Sequence, residues 1–139
     1  MASSSIKYSE SRELSLKSIL LLYRANDWTA AEKPALLRKA LIASHSLVTA
    51  WDGTRLVGLG NAISDGYLVV YYSHLLVLPS YQRRGIGTEI MRRLMAHYEK
   101  FHQHIVVADG GAIDFYRKCG FKRAGRTEPM WIYAGSDHQ

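Results

Sequence analysis

From Gly85 to Tyr98 the apolar residues Ile86, Ile90, Met91, Leu94, Met95 and Tyr98 recur every three or four positions, with Glu89, Arg92, Arg93 and His97 between them. That is the period of an α-helix burying one stripe, and it predicts a helix opening at Gly85. Upstream the pattern changes. Residues 46–78 hold three runs of β-branched, aromatic and aliphatic residues, separated by Asp52-Gly53 and Asp65-Gly66. An Asp-Gly pair between such runs is a hairpin signal, so three successive antiparallel strands are predicted.

Before them, residues 6–10 suit a short strand, and Leu14, Ile19, Leu22 and Tyr23 carry helical spacing. The stretch "NDWT" interrupts that helix, and Thr29 is a candidate cap for a second one bearing Leu36, Leu37, Ala40 and Leu41 on one face. Near the end, residues 104–108 predict a strand, residues 112–119 a short helix stopped by Gly120, and residues 129–134 a final strand. A further short strand near Phe121 is left open. The order is β-α-α-β-β-β-α-β-α-β: a mixed α/β (α+β) domain over residues 1–139.

Composition narrows this. A chain of 139 residues, 47% hydrophobic and 22% charged, has room for one sizeable core. Eighteen Lys and Arg against twelve Asp and Glu give a net charge of +6, which favours anionic partners such as nucleic acid, phosphorylated cofactors or acidic surfaces. The single cysteine, Cys119, rules out an intrachain disulfide and suits a reducing, cytoplasmic setting. The apolar run at residues 19–22 is far shorter than the roughly 18 residues of a membrane span, so no membrane anchor and no signal peptide are expected. Residues 1–5 and 135–139 are expected to fray.

The most informative stretch is "LPSYQRRGIGTEI" at residues 78–90. A strand running through "QRRGIG" into a helix leaves backbone N–H groups pointing out of the first turn, with no side chains at Gly85 and Gly87 to block approach. Arg83 and Arg84 add full positive charge, so the turn suits a phosphate. A P-loop is excluded because its Lys-Ser/Thr pair is missing, and a dinucleotide fingerprint because Ile90 stands where its third glycine belongs. The bland alternative is a tight turn with solvated arginines.

"LLVLPSYQRRGIG" resembles the acetyl-CoA-binding motif of the GCN5-related N-acetyltransferase (GNAT) family through Leu75, Val77, Pro79, Gln82, Gly85 and Gly87. "AIDFYRKCGF" is similar to that family's second motif through Ala112, Phe115, Tyr116, Gly120 and Phe121. The resemblance implies a central, mostly antiparallel mixed sheet splayed around acetyl-CoA, and direct transfer of acetyl to an amine. Pyrophosphate would lie on the amides of residues 82–88, which include Gln82, Arg83, Arg84, Gly85, Ile86, Gly87 and Thr88. Leu76 and Val77 would hold the pantetheine arm, a backbone N–H near Val77 would face the oxyanion, and Asp109, Ala112, Phe115 and Tyr116 would line the cofactor.

Tyr116 is implied as the acid that protonates the departing thiolate, against the alternative of a core tyrosine. Asp109 departs from the Asn common among relatives, and when ionised it cannot donate the same hydrogen bond. His74 is the candidate base. Strand alternation places it opposite to Tyr71 and Ser73, the positions where arylalkylamine acetyltransferases carry histidines, unless a bulge intervenes. Glu128 is a second candidate base. Trp28 with Asp27, Tyr71, Ser73 and Trp131 are candidates for the acceptor pocket, each weighed against a core role.

No metal site is expected, because His45, His97, His102, His104 and His138 lack a third ligand at suitable spacing. The leading expectation is an acetyl-CoA-dependent N-acetyltransferase acting on a small-molecule or peptide amine, with a homodimer left open. The rivals are a non-catalytic acyl-CoA-binding module and a basic nucleic-acid-binding domain. The latter is disfavoured because the basic residues are dispersed.

Overall fold

The computed structural model describes residues 5–137, so His138 lies outside the described residues. Five strands form one sheet in the order β1 (Ile6–Ser9), β2 (Ser46–Asp52), β3 (Arg55–Ser64), β4 (Val69–Val77) and β5 (Gln103–Ile105). The first three pairings are antiparallel and β4 pairs β5 in parallel. Helices α1 (Leu16–Ala25) and α2 (Pro34–Ala43) precede β2; α3 (Ile86–Met95) and α4 (Ala112–Lys118) flank β5 in sequence. The antiparallel run from β2 to β4 is the one the hydrophobic runs and Asp-Gly pairs predict, and the mixed, mostly antiparallel sheet is the one the resemblance implies.

Local chemistry sets the boundaries. The Ser15 hydroxyl accepts from the Ser18 amide at 3.1 Å, so α1 begins just after it. Gly53 and Gly66 take left-handed backbone at the two hairpin tips, where other residues are strained. At the second tip the Asp65 carboxylate accepts from the amides of Tyr67, Leu68 and Val69, which holds its pKa below the usual carboxylate range. Thr29 does not cap α2. It opens a 3-10 turn, Thr29–Glu32, and α2 starts at Pro34, whose missing N–H costs nothing in a first turn.

The core includes Ile19, Leu22, Tyr23, Leu37 and Leu41 of α1 and α2 and, where α3 meets the sheet, the buried stripe of that helix. Ile86, Ile90, Met91 and Leu94 are buried, and the glycines of β3 let the helix approach. A Cβ at Gly60 would fall 2.7 Å from Ile90 and 3.0 Å from Leu94. Gly60→Ala is therefore expected to cost about 1–3 kcal/mol through overpacking. Denaturant unfolding checks this, and an unchanged midpoint would mean that α3 shifts freely. The alternate residues of β3 face the other way, where Asn61 donates to Ser44 beyond α2 and His74 meets Tyr23 of α1.

Two expectations fail: β5 covers only Gln103–Ile105, short of the predicted residues 104–108, and residues 129–134 are not a strand; the strand left open near Phe121 does not form. The segment before residue 129 is charged and turns at Gly125, so it supplies no hairpin partner. Met130 and Ile132 are consequently exposed, while residues 135–137, expected to fray, are held against Thr29. No helix among the described residues is long and apolar enough to cross a membrane.

Candidate active site

The strand pairings decide where a ligand fits. β4 and β5 pair only through Val69–Tyr71 against Gln103–Ile105, and beyond them β4 continues to Val77 without a neighbour on that side. The Leu78 amide donates to the Val57 carbonyl at 2.8 Å, which fixes the phase of the β3–β4 ladder. Since bonded pairs alternate in antiparallel sheets, Leu76 bonds across to Leu59, while the backbone groups of Leu75 and Val77 point into the gap. Leu76 thus turns its amide away from the place the sequence reading gave it. The Val77 carbonyl accepts from Gln82 Nε2 at 3.0 Å and Asn26 Nδ2 at 3.2 Å, leaving its N–H directed at the opening.

The glycine turn stands at the end of that gap. Arg83 and Gly85 both have positive φ, the backbone type that gathers amides into anion-binding concavities. The Gln82 amide donates to the Pro79 carbonyl, and the first bond of α3 runs from Glu89 to Gly85. Between them the amides of residues 83–88 have no acceptor among the described residues. Ile86 is buried and anchors the turn, Thr88 is exposed, and the Arg84 guanidinium lies 4.9 Å over the Tyr81 ring. Gly87 sits where a Cβ would touch Phe115 at 3.5 Å and Val77 at 3.9 Å, bringing the two predicted motifs together.

Ala112 opens α4 with its amide on the Asp109 carbonyl, and the Asp109 side chain is exposed. Tyr116 is 8% exposed and packs edge-on against Phe115 and Phe121. Its hydroxyl has no partner among the described residues. Burial, with smaller effects from Cys119 and Tyr71, pushes its pKa up to about 12, so the phenol is neutral at pH 7. A thiol ionises near ~8.5. Full proton transfer to a thiolate is uphill, and the ring acts chiefly by a hydrogen bond that strengthens as charge builds on sulfur.

His74 departs from simple alternation. Asn61 pairs with His74 but Ile63 with Tyr71, so β4 carries an extra residue between them. This bulge puts His74 on the same face as Tyr71, correcting the expectation that it faces away. Its Nδ1 lies 2.7 Å from the Tyr23 hydroxyl, and its ring stands 5.1 Å edge-on from Trp28. Ser73 donates to Asn61 Oδ1 at 2.8 Å. Burial lowers the His74 pKa to about 4 and raises that of Tyr23, which has no other acceptor among the described residues and donates to Nδ1 in the favoured tautomer. The opposite tautomer, with Nδ1–H donating to the phenol, frees Nε2 to accept a proton.

The sign of the His74 shift gives a stability prediction. An unfolded imidazole takes its proton near ~6.5, whereas the folded one resists until about 4. This contribution is full above the unfolded value and is lost as pH falls from there through the folded one. Thermal unfolding between these limits is expected to show a flatter pH dependence in His74→Gln than in the parent. Parallel curves would assign the effect to another group.

Sequence reasoning named Leu75 only as a motif position and missed Asn26 and Tyr23. The last two look like ordinary positions at the end of a helix until α1 is laid beside β4. Trp131 stacks on Tyr133 at 4.4 Å, and Asp27 and Glu128 are exposed. A groove of ≈ 530 Å³ runs from Thr88 along α3 to Cys119. A larger cleft of ≈ 670 Å³ at the β1–β2 edge contains none of the expected site residues. No metal-binding cluster occurs among the described residues.

Comparisons with known proteins agree with this geometry. The family model described as acetyltransferase (GNAT) family matches residues 14–121. The N-alpha-acetyltransferase RimI of Mycobacterium tuberculosis is 30% identical over 110 residues, 75% of this chain and 70% of that protein. A GNAT-family acetyltransferase from Streptococcus pneumoniae superimposes with a TM-score of 0.80 at 31% identity, covering 94% of this chain and 99% of that one. A Staphylococcus aureus protein of unknown function gives a TM-score of 0.82 at 25% identity, covering 92% and 98%.

Proposed function

The chain belongs to the GNAT acetyltransferase family, and from that premise we propose that it transfers acetyl from acetyl-CoA directly to a primary amine of a small molecule or peptide. The observation that carries this reading is the parting of β4 from β5, which leaves Leu75 and Val77 with outward backbone groups in line with the open amides of residues 83–88. The residues present fit the donor. An extended arm can pair with β4 as an added strand, and a pyrophosphate can rest on the first turn of α3.

Acetyl-CoA supplies an activated acyl group with a thiolate leaving group. The chain supplies the rest. The Val77 N–H stabilises the oxygen that becomes negative as the amine adds. Tyr116 hydrogen-bonds the sulfur as it departs. His74, in its Nδ1–H tautomer, takes the proton at Nε2. A base with a pKa of about 4 is too weak for an alkylammonium near ~10.4. The acceptor must therefore arrive neutral, and His74 removes the far more acidic proton carried after addition. Tyr71, Ser73 and Trp28 border the acceptor side, Tyr71 and Trp28 offering apolar rings.

The test is acetyl-CoA with a panel of polyamines, arylalkylamines, amino sugars and peptides, following thiol release. Amine-dependent release is expected. Tight acetyl-CoA binding with no turnover on any amine would favour a non-catalytic binding module.

A further inference from the structure

The tip of the β2–β3 hairpin rises beside the glycine turn. The Val57 carbonyl of β3 accepts from the Leu78 amide at 2.8 Å and Gly58 lies opposite Val77, so the start of β3 runs alongside the end of β4 and the 3-10 turn Pro79–Tyr81 that follows it. The Tyr81 hydroxyl donates to the Asp52 carboxylate at 2.5 Å and joins the two segments. Two guanidiniums rest on the Tyr81 ring, Arg84 at 4.9 Å and Arg55 at 5.5 Å from its centre. One comes from the glycine turn, and the other opens β3.

Arg55, Arg83 and Arg84 are exposed, and none is ion-paired with a carboxylate among the described residues. Asp52, opposite Arg55 across the hairpin tip, takes the phenol instead, and Glu89 in the first turn of α3 is bound by Arg92 and Arg93. Three guanidiniums outnumber the Asp52 carboxylate, so this corner keeps positive charge that no internal ion pair consumes. A guanidinium resting on an aromatic face has already lost part of its rotamer freedom, and less remains to be lost when it pairs with an anion.

The open amides of residues 83–88 suit a pyrophosphate. CoA carries one further anionic group, a phosphomonoester on its ribose, whose oxygens match the forked donors of arginine. Resting on the acetyltransferase reading, we propose that Arg55 and Arg84, steadied by Tyr81, form a second anion subsite that takes this ribose phosphomonoester. Arg55 then brings the β2–β3 tip into donor recognition, and the chain distinguishes CoA from dephospho-CoA, which lacks that group.

The experiment titrates the full chain with CoA and with dephospho-CoA by calorimetry. The parent is expected to bind CoA about tenfold more tightly, as one charge-assisted hydrogen bond provides. Arg55→Gln should bring the two affinities to within about threefold and leave that for dephospho-CoA unchanged, a split that a merely structural role would not produce. Tyr81→Leu removes the platform while keeping both charges, and should lower the preference in the same direction. Equal affinity of the parent for the two nucleotides, or a preference unchanged in both variants, overturns the proposal and leaves the donor reading standing. A preference lost in Arg55→Gln but kept in Tyr81→Leu upholds Arg55 and overturns the part given to the ring. Binding of neither nucleotide overturns the donor reading and the proposal with it.

Discussion

Replacing Tyr116 with phenylalanine is expected to lower kcat by roughly 100-fold, the lower end of what a positioned proton donor contributes, while changing acetyl-CoA affinity far less. The structure makes the experiment clean. The Tyr116 hydroxyl bonds to nothing among the described residues, so its loss orphans no buried partner and leaves the edge-on packing with Phe115 and Phe121 in place. If the phenol acts on the departing sulfur, kcat and kcat/KM fall together, because the interaction exists only in the transition state. Unchanged turnover with unchanged stability would reduce Tyr116 to a core residue.

Gly87→Val should weaken acetyl-CoA binding by on the order of 100-fold, about 2.7 kcal/mol, with little loss of fold stability. A Cβ at residue 87 meets Phe115 and Val77 at ordinary contact distances, and the backbone there is not left-handed, so the first carbon of a side chain is tolerated by the protein itself. What it fills is the space between the first turn of α3, α4 and the end of β4. That is where the proposed donor site puts the pyrophosphate and pantetheine arm. Calorimetric titration with acetyl-CoA, paired with a thermal melt, separates the outcomes. Full affinity in a stable variant would move the donor site off this turn.

Much of this site is legible from local patterns. The glycines at residues 85 and 87, the arginines before them and the Phe-Tyr pair of α4 are motif positions, and α3 follows from its period alone. The hairpins follow from two Asp-Gly pairs. Each of these depends on residues close in sequence. The failures share the opposite property. The final strand was expected from an apolar run, but a strand forms only where a partner edge accepts it, and β5 offers three residues. Thr29 is a candidate cap by its place in the sequence, whereas its hydroxyl donates across the chain to Asp137.

The sequence by itself determined the order of strands and helices from β1 through α4, the amphipathic helix behind the glycine turn and the family to which the two motifs point, because period, turn chemistry and motif spacing act over a few residues. Only the tertiary structure decided which face His74 occupies, since one extra residue in β4 inverts the alternation and no local pattern marks a bulge. It also decided that Leu75 and Val77, rather than Leu76, turn their backbone groups to the gap. The phase of an antiparallel ladder is set by the neighbouring strand. Likewise only packing brought Asp137 to the Thr29 hydroxyl, joining residues more than a hundred positions apart.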